Sequence, residues 1–308
     1  MGYNFLQLFT SKAIADLGID SIWGISRSGE LPRFNQNLKS FKLIKGDLSD
    51  YRLLESLPEF DAIIHAGGYA QPARFMEDPL STISVNSTST IELIKKLKDN
   101  GKFLYLSSSE VYSGSKNFPH EESDIGQTNT EHPRAAYIEG KKVGETIVAA
   151  ARSKLSIDAT AIRLSLVYGP GTKPVDSRVI NSIISQALNN RVIKLLDSGT
   201  AIRSYCYVSD AIFLSLTAML HGTESIYNVG GISKVSIKEL AEKIAKLTRA
   251  KVQYGLDEGM MSGAPINVEL NLNKIIKLTG IKKFVDLEVG LPRTIKWHEN
   301  HDKPREII

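Results

Sequence analysis

Short apolar runs alternate with longer amphipathic ones through the first half of the chain. The runs at 21–27, 41–45, 61–66, 102–107 and 159–164 are each bounded by turn-forming or charged residues. Their length and apolar character predict strands buried on both faces of a sheet. Between them, apolar positions at helical spacing predict helices over 3–17, a short one after Asp50, and longer ones over 79–98 and 134–153. Strands alternating with helices of this length predict an α/β protein with a doubly wound parallel sheet. Beyond residue 166 the composition becomes richer in loops, with helices expected over 177–189, 208–220, near 236–248 and 271–279, and a strand over 226–229. This divides the chain into an N-terminal part, 1–166, and a smaller C-terminal α/β lobe, 167–308, with some segments interleaved.

Composition narrows the class. The 42% hydrophobic and 23% charged content over 308 residues is that of a globular chain, not a disordered one. A net charge of +4, with no basic run carrying interleaved aromatics, argues against nucleic acid as a partner. Cys206 is the single cysteine and the six histidines lack ligand spacing, so neither a disulfide nor a metal site is expected. No apolar run approaches the ~20 residues of a membrane span. The N-terminus lacks the pattern of a signal peptide, and a reducing cytoplasm is the expected location.

Chemistry concentrates at two places. The strand at 102–107 runs out into Ser107-Ser108-Ser109-Glu110-Val111-Tyr112, and a helix then carries Tyr137-Ile138-Glu139-Gly140-Lys141. Four residues apart, Tyr137 and Lys141 project from one helix face. A phenol with an ordinary pKa near 10 needs a neighbouring cation to act as a base near neutrality, and Lys141 is placed to supply it. A serine ending the adjacent strand can hold a substrate oxygen.

These residues, with Arg163-Leu164-Ser165-Leu166-Val167-Tyr168-Gly169-Pro170, resemble the extended short-chain dehydrogenase/reductases, the NAD-dependent epimerase/dehydratase family that modifies nucleotide sugars. The similarity extends over nearly the whole chain. It implies a Rossmann-like fold, NAD or NADP as cofactor, a nucleotide-sugar substrate, a homodimer and a place in cell-surface polysaccharide metabolism. It further implies that Ser108, Tyr137, Lys141 and Glu110 are catalytic, while Ser109 and Arg203 contact substrate, Arg203 through the diphosphate. Cofactor contacts carry over to Gly2, Arg27, Asp47, Leu48, His65, Ala66, Gly67, Asn86, Tyr137 and Lys141. Simpler readings stand beside these: Asp47 as the N-cap of the following helix, Asn86 as a locally satisfied helix asparagine, and Glu110 as a salt-bridged strand-end glutamate. The end of the strand at 21–27 carries Ser26 and Arg27 and no acid, which suits the 2′-phosphate of NADP.

Three departures shape the expectation. The strand and glycine-rich turn that open a dinucleotide fold have no match ahead of Gly2, either because the sequence is truncated or because the phosphate cradle is lost. Glu110 and the pattern Tyr137-x-Glu139-Gly140-Lys141-x-x-x-Glu145 look most like the UDP-glucuronate decarboxylases. Against that branch, Leu166 replaces a sugar-contacting asparagine, and 262–267 lacks the arginine expected to meet a uronate carboxylate. The expected activity is therefore transient oxidation of a sugar hydroxyl to a ketone, in an epimerase or dehydratase reaction. A decarboxylase and a cofactor-dead sugar-nucleotide binder are the alternatives.

Overall fold

The computed structural model describes residues 1–9, 11, 18–29, 41–155, 157–172, 176–255 and 267–301. The N-terminal part comprises α1 (Gly2–Phe9), β1 (Ile22–Ser26), β2 (Phe41–Lys45), α2 (Tyr51–Glu55), β3 (Phe60–His65), α3 (Pro72–Glu77), α4 (Pro79–Asn86), α5 (Thr88–Ile94), β4 (Leu97–Ser108), α6 (Ala135–Lys154) and β5 (Asp158–Leu164). Then follow β6 (Leu166–Tyr168), α7 (Val179–Asn190), β7 (Val192–Lys194), β8 (Ile202–Tyr207), α8 (Val208–His221), β9 (Ile226–Val229), β10 (Ser233–Ser236), α9 (Ile237–Thr248), β11 (Lys251–Gln253), β12 (Asn267–Val268), α10 (Asn273–Thr279) and α11 (Leu287–His301).

The main sheet is parallel, in the order β3-β4-β5-β9, and β1 pairs with β2 in a separate parallel ladder. Among the described residues no ladder joins β1 to β3, although Trp23 of β1 packs edge-on against Phe60 of β3 at 5.6 Å. Strand β4 shows why the sheet forms. Phe103 and Tyr105 enter one core, packed beneath α2, α5 and α6, and Leu104 and Leu106 enter another beneath α1, α8 and α10. All four are buried, as the continuous apolar run required. Strand β9 returns from the second half of the chain to complete this sheet beside β5, with Ala161↔Ile226 to Leu164↔Val229 in register.

A second sheet centres on β8, bonded to β6 and β12 in parallel and to β10 antiparallel. Helices α7, α9 and α11 close its core around Ile184, Leu240, Ile244, Leu287 and Leu291. Helix α9 starts at a capping box in which Ser236 and Glu239 satisfy each other's backbone N–H.

The expected helix over 79–98 is two helices. Asn86 ends α4, Ser87 takes a non-helical conformation (φ −108°, ψ −80°), and α5 starts afresh and ends at Ile94. Hydroxyls at Thr82, Ser87 and Thr90 bond back to carbonyls four residues earlier, which loosens the helical ladder around the break. The expected helix over 3–17 is described for Gly2–Phe9, while 12–17 lies outside the described residues. So does 262–266, where a substrate-facing arginine had been sought.

Candidate active site

Gly144 lets helix α6 approach the sheet closely enough to deliver its side chains. A side chain at Gly144 would overlap the ring of Tyr105, and a Cβ at Gly140 would sit 3.5 Å from Asn86. On the face so presented, Tyr137 and Lys141 are both buried. Lys141 Nζ donates to the Leu106 carbonyl at 2.7 Å and lies 5.9 Å from the centre of the Tyr137 ring. Ser108, the last residue of β4, accepts from the Glu110 N–H at 3.2 Å and stands beside the Tyr137 hydroxyl, whose ionised form its side chain favours. The sequence-derived trio is therefore assembled. Ser109 is buried in the turn that follows β4.

The electrostatics differ from the sequence expectation. Lys141 was expected to hold the phenol down, yet burial pushes Tyr137 up to about 12, and the Glu110 charge adds to the rise. Ser108, Arg134 and Arg178 oppose it, less strongly. Lys141 itself is lowered to about 7 by burial, with Glu145 opposing. Desolvation dominates both groups because neither meets bulk water.

Glu110 forms a two-point ion pair with Arg134, whose Nε donates to Oε2 at 3.0 Å while its NH2 bonds Oε1. This is the simpler of the two readings of Glu110, although the carboxylate still faces Tyr137. Arg203, on β8, bonds its own strand through the Ile202 carbonyl at 2.8 Å and is lowered by burial, with Tyr205, Arg134 and Glu110 the charges around it. Arg134 and Arg178 thus bring two guanidinium groups to the neighbourhood of Tyr137, and Arg203 stands near Arg134 and Glu110. Sequence reasoning missed Arg134 and Arg178, and also Phe75, which stacks on Tyr137 at 4.6 Å and 10°. Arg134 stands three residues before Tyr137, and that proximity was the one signal available.

The cofactor positions also converge. Gly2 packs against Ala66, and a side chain at Gly67 would overlap Leu48. A Cβ on Gly68, whose φ of 133° favours glycine, would lie 3.7 Å from Lys141 Nζ and 3.9 Å from Asn86 Oδ1. The turn 66–68 is therefore a bare-backbone cradle that a side chain would fill, as a dinucleotide site requires. His65, beneath it, contacts the Val85 carbonyl through Nε2 at 3.0 Å, while its buried Nδ1 has no partner among the described residues. Asn86 donates to Thr82 and accepts from Tyr105, both at 2.7 Å, so it is only partly satisfied within its own helix. Further out, Asp47 accepts from Ser49 and pairs with Arg27 Nε at 2.9 Å, and Arg27 also bonds and stacks on Tyr69. Burial raises Asp47, but the Ser49 bonds and the Arg27 charge outweigh it and hold the carboxyl below its ordinary value. Asp47 does not cap α2. Asp50 does, accepting from Arg52 and Leu53.

His65 makes stability pH-dependent. Burial and the Lys141 charge lower it to about 4 from an ordinary 6.5, so between those values the unfolded chain binds the extra proton. Its contribution is fully present above about pH 6.5 and lost as pH falls towards 4. The melting temperature of His65→Gln is expected to fall less steeply than that of the parent across this window.

Residues 9–230 match the model of the NAD dependent epimerase/dehydratase family, and the chain belongs to that family. It is an NAD(P)-dependent enzyme of the nucleotide-sugar epimerase/dehydratase class. Among its relatives, UDP-glucuronic acid decarboxylase 3 of Arabidopsis thaliana is 30% identical over 253 residues, covering 82% of this chain and 72% of that protein. The dTDP-4-dehydro-6-deoxy-D-allose reductase of Streptomyces bikiniensis is 26% identical over 256 residues, 80% of this chain and 76% of that one. The fold is that of DesIV, a dTDP-glucose 4,6-dehydratase from Streptomyces venezuelae, with a TM-score of 0.83 at 21% identity over 97% of this chain and 94% of that chain. Among the described residues no cluster of metal-ligating side chains occurs, and no helix is long and apolar enough to cross a membrane.

Proposed function

We propose that this chain oxidises a hydroxyl of a nucleotide-linked sugar to a ketone and then resolves that ketone as an epimerase or dehydratase. The observation that carries the reading is the buried contact of Ser108 with Tyr137, with Lys141 one helical turn away. Tyr137 takes the proton of the sugar hydroxyl, Ser108 orients that oxygen, and Lys141 favours the phenolate. Bound NAD(P)+ supplies the hydride acceptor and a positive charge. Asp47, His65, the 66–68 turn, Asn86 and Lys141 are the residues that would hold it. Glu110, released from Arg134, acts as acid or base beside the ketone. Arg203 binds the diphosphate, for which a planar guanidinium offers two parallel bonds.

A second reading is UDP-glucuronate decarboxylation. The name of the Arabidopsis relative favours it, and so do Arg134 and Arg178 near Tyr137, with Arg203 near Arg134, which suit an anionic sugar. Incubation with UDP-glucose and UDP-glucuronate in the presence of NAD+ separates the two. A 4-keto or epimerised hexose is expected, and release of carbon dioxide from the uronate selects the decarboxylase.

Arg27 favours NADP. Arg27→Ala is expected to weaken NADP+ binding about tenfold, the loss of one charge-assisted hydrogen bond, and to leave NAD+ binding unchanged in calorimetry. We also infer a homodimer built on α4, α5 and α6, where Leu80, Ile83, Ile91 and Val143 are exposed apolar side chains. Ile83→Lys with Val143→Lys should convert a sedimenting dimer to a monomer, and a monomeric parent would contradict the inference. With one cysteine, the chain suits the reducing cytoplasm.

A further inference from the structure

The ammonium of Lys141 is buried, and only part of what stabilises it belongs to the residues assigned above. Among the described residues, its own helix and four other elements surround it. Its own helix supplies Tyr137 and Glu145, β3 supplies His65, and α4 faces it with the uncharged Asn86. From β5, Arg163 is held away on Glu145. Strand β4 supplies the Leu106 carbonyl and Tyr105, whose ring centre lies 4.7 Å from Nζ, closer than that of Tyr137. Tyr105 is fully buried, and its hydroxyl donates to Asn86 Oδ1 at 2.7 Å. Gly144 is what admits the ring, because any side chain there would strike it.

We propose that Tyr105 is a positioning residue for Lys141: its π face carries the buried ammonium, and its hydroxyl anchors Asn86 on the other side of the 66–68 turn. A cation over an aromatic face is attracted by the ring quadrupole, and the attraction grows when water is excluded. Only the charged amine gains from it, so the ring keeps Lys141 protonated at a pH where burial alone would neutralise it. The same side chain fixes the lateral position of Asn86, so one residue sets both groups that face Gly68. The catalytic consequence rests on the role given to Lys141 above. The contact itself does not, and the test reads the lysine directly.

The full chain is prepared with lysine labelled at Cε and Nζ, and the Lys141 signal is identified by its absence in Lys141→Arg. Its titration is followed in the parent, in Tyr105→Phe, and in a chain carrying pentafluorophenylalanine at 105, which keeps the ring's shape but reverses its quadrupole. The phenylalanine variant is expected to titrate like the parent, and the fluorinated one about one pH unit lower. A fluorinated chain that titrates like Tyr105→Phe, or a Tyr105→Phe that falls as far as the fluorinated chain, overturns the proposal. In turnover assays the alkaline limb of the rate profile should move with the lysine midpoint. An alkaline limb that stays in place while the lysine midpoint moves would instead count against the enzymatic role of Lys141.

Discussion

Tyr137→Phe is expected to lower kcat by about 10²- to 10⁴-fold, the usual worth of a positioned general base, with little change in melting temperature. The ring would keep its stack on Phe75 and its place against Ile138, so the fold loses only the hydroxyl beside Ser108. Substrate binding should change little if Arg203 holds the diphosphate as proposed. The loss should therefore appear in kcat more than in KM. The free phenol is far from a base at neutral pH, raised to about 12 by burial and by Glu110. The activity of the parent should accordingly rise with pH on its acid side, and this limb should be missing from the residual activity of the variant. Full turnover by Tyr137→Phe would remove Tyr137 from the chemistry.

Glu145→Ala is expected to destabilise the fold by about 3–5 kcal/mol, because it strands a buried charge. Glu145 accepts from Arg163 at 2.8–3.2 Å and from Ser107 Oγ at 2.5 Å, and the carboxylate and guanidinium are only 5% and 9% exposed. Arg163 would retain the Glu122 carbonyl and the face of Tyr112, neither of which neutralises it. The double variant Glu145→Leu with Arg163→Met, which removes both charges, should recover much of the loss. Urea denaturation of the three chains tests this. A single variant within about 0.5 kcal/mol of the parent, the scale of an ordinary surface substitution, would show that the pair contributes nothing. The same pair stands behind Ser107, next to Ser108, so the ion pair also fixes the strand end on which the site is built.

Much of this architecture was legible because it is written in local pattern. The run 103–106 could only be a strand buried on both faces, and Tyr137 and Lys141 could only share a helix face. Features decided by distant contacts were not legible. Glu110 and Arg134 are 24 residues apart, and their pairing depends on how the loop between them folds back. Phe75 meets Tyr137 only because α3 packs on α6, and Arg178 approaches only through the start of α7. Helix α11 was missed although Leu287, Leu291 and Ile295 recur at helical spacing. Pro292 inside it reads as a breaker, and tertiary packing overrides that preference. The break at Ser87 was hidden for the opposite reason, since apolar spacing continues across it.

Binding of the cofactor is necessary for this account, but oxidation of the sugar is its centre. The direct measurement is a stopped-flow record of nicotinamide absorbance when the 308-residue chain, loaded with NAD+ or NADP+, meets UDP-glucose or UDP-glucuronate. A transient of reduced nicotinamide that rises and decays within a turnover, and that Tyr137→Phe abolishes, is the predicted result. Product formed with no reduced nicotinamide at any time, or a transient of undiminished rate in Tyr137→Phe, would contradict it.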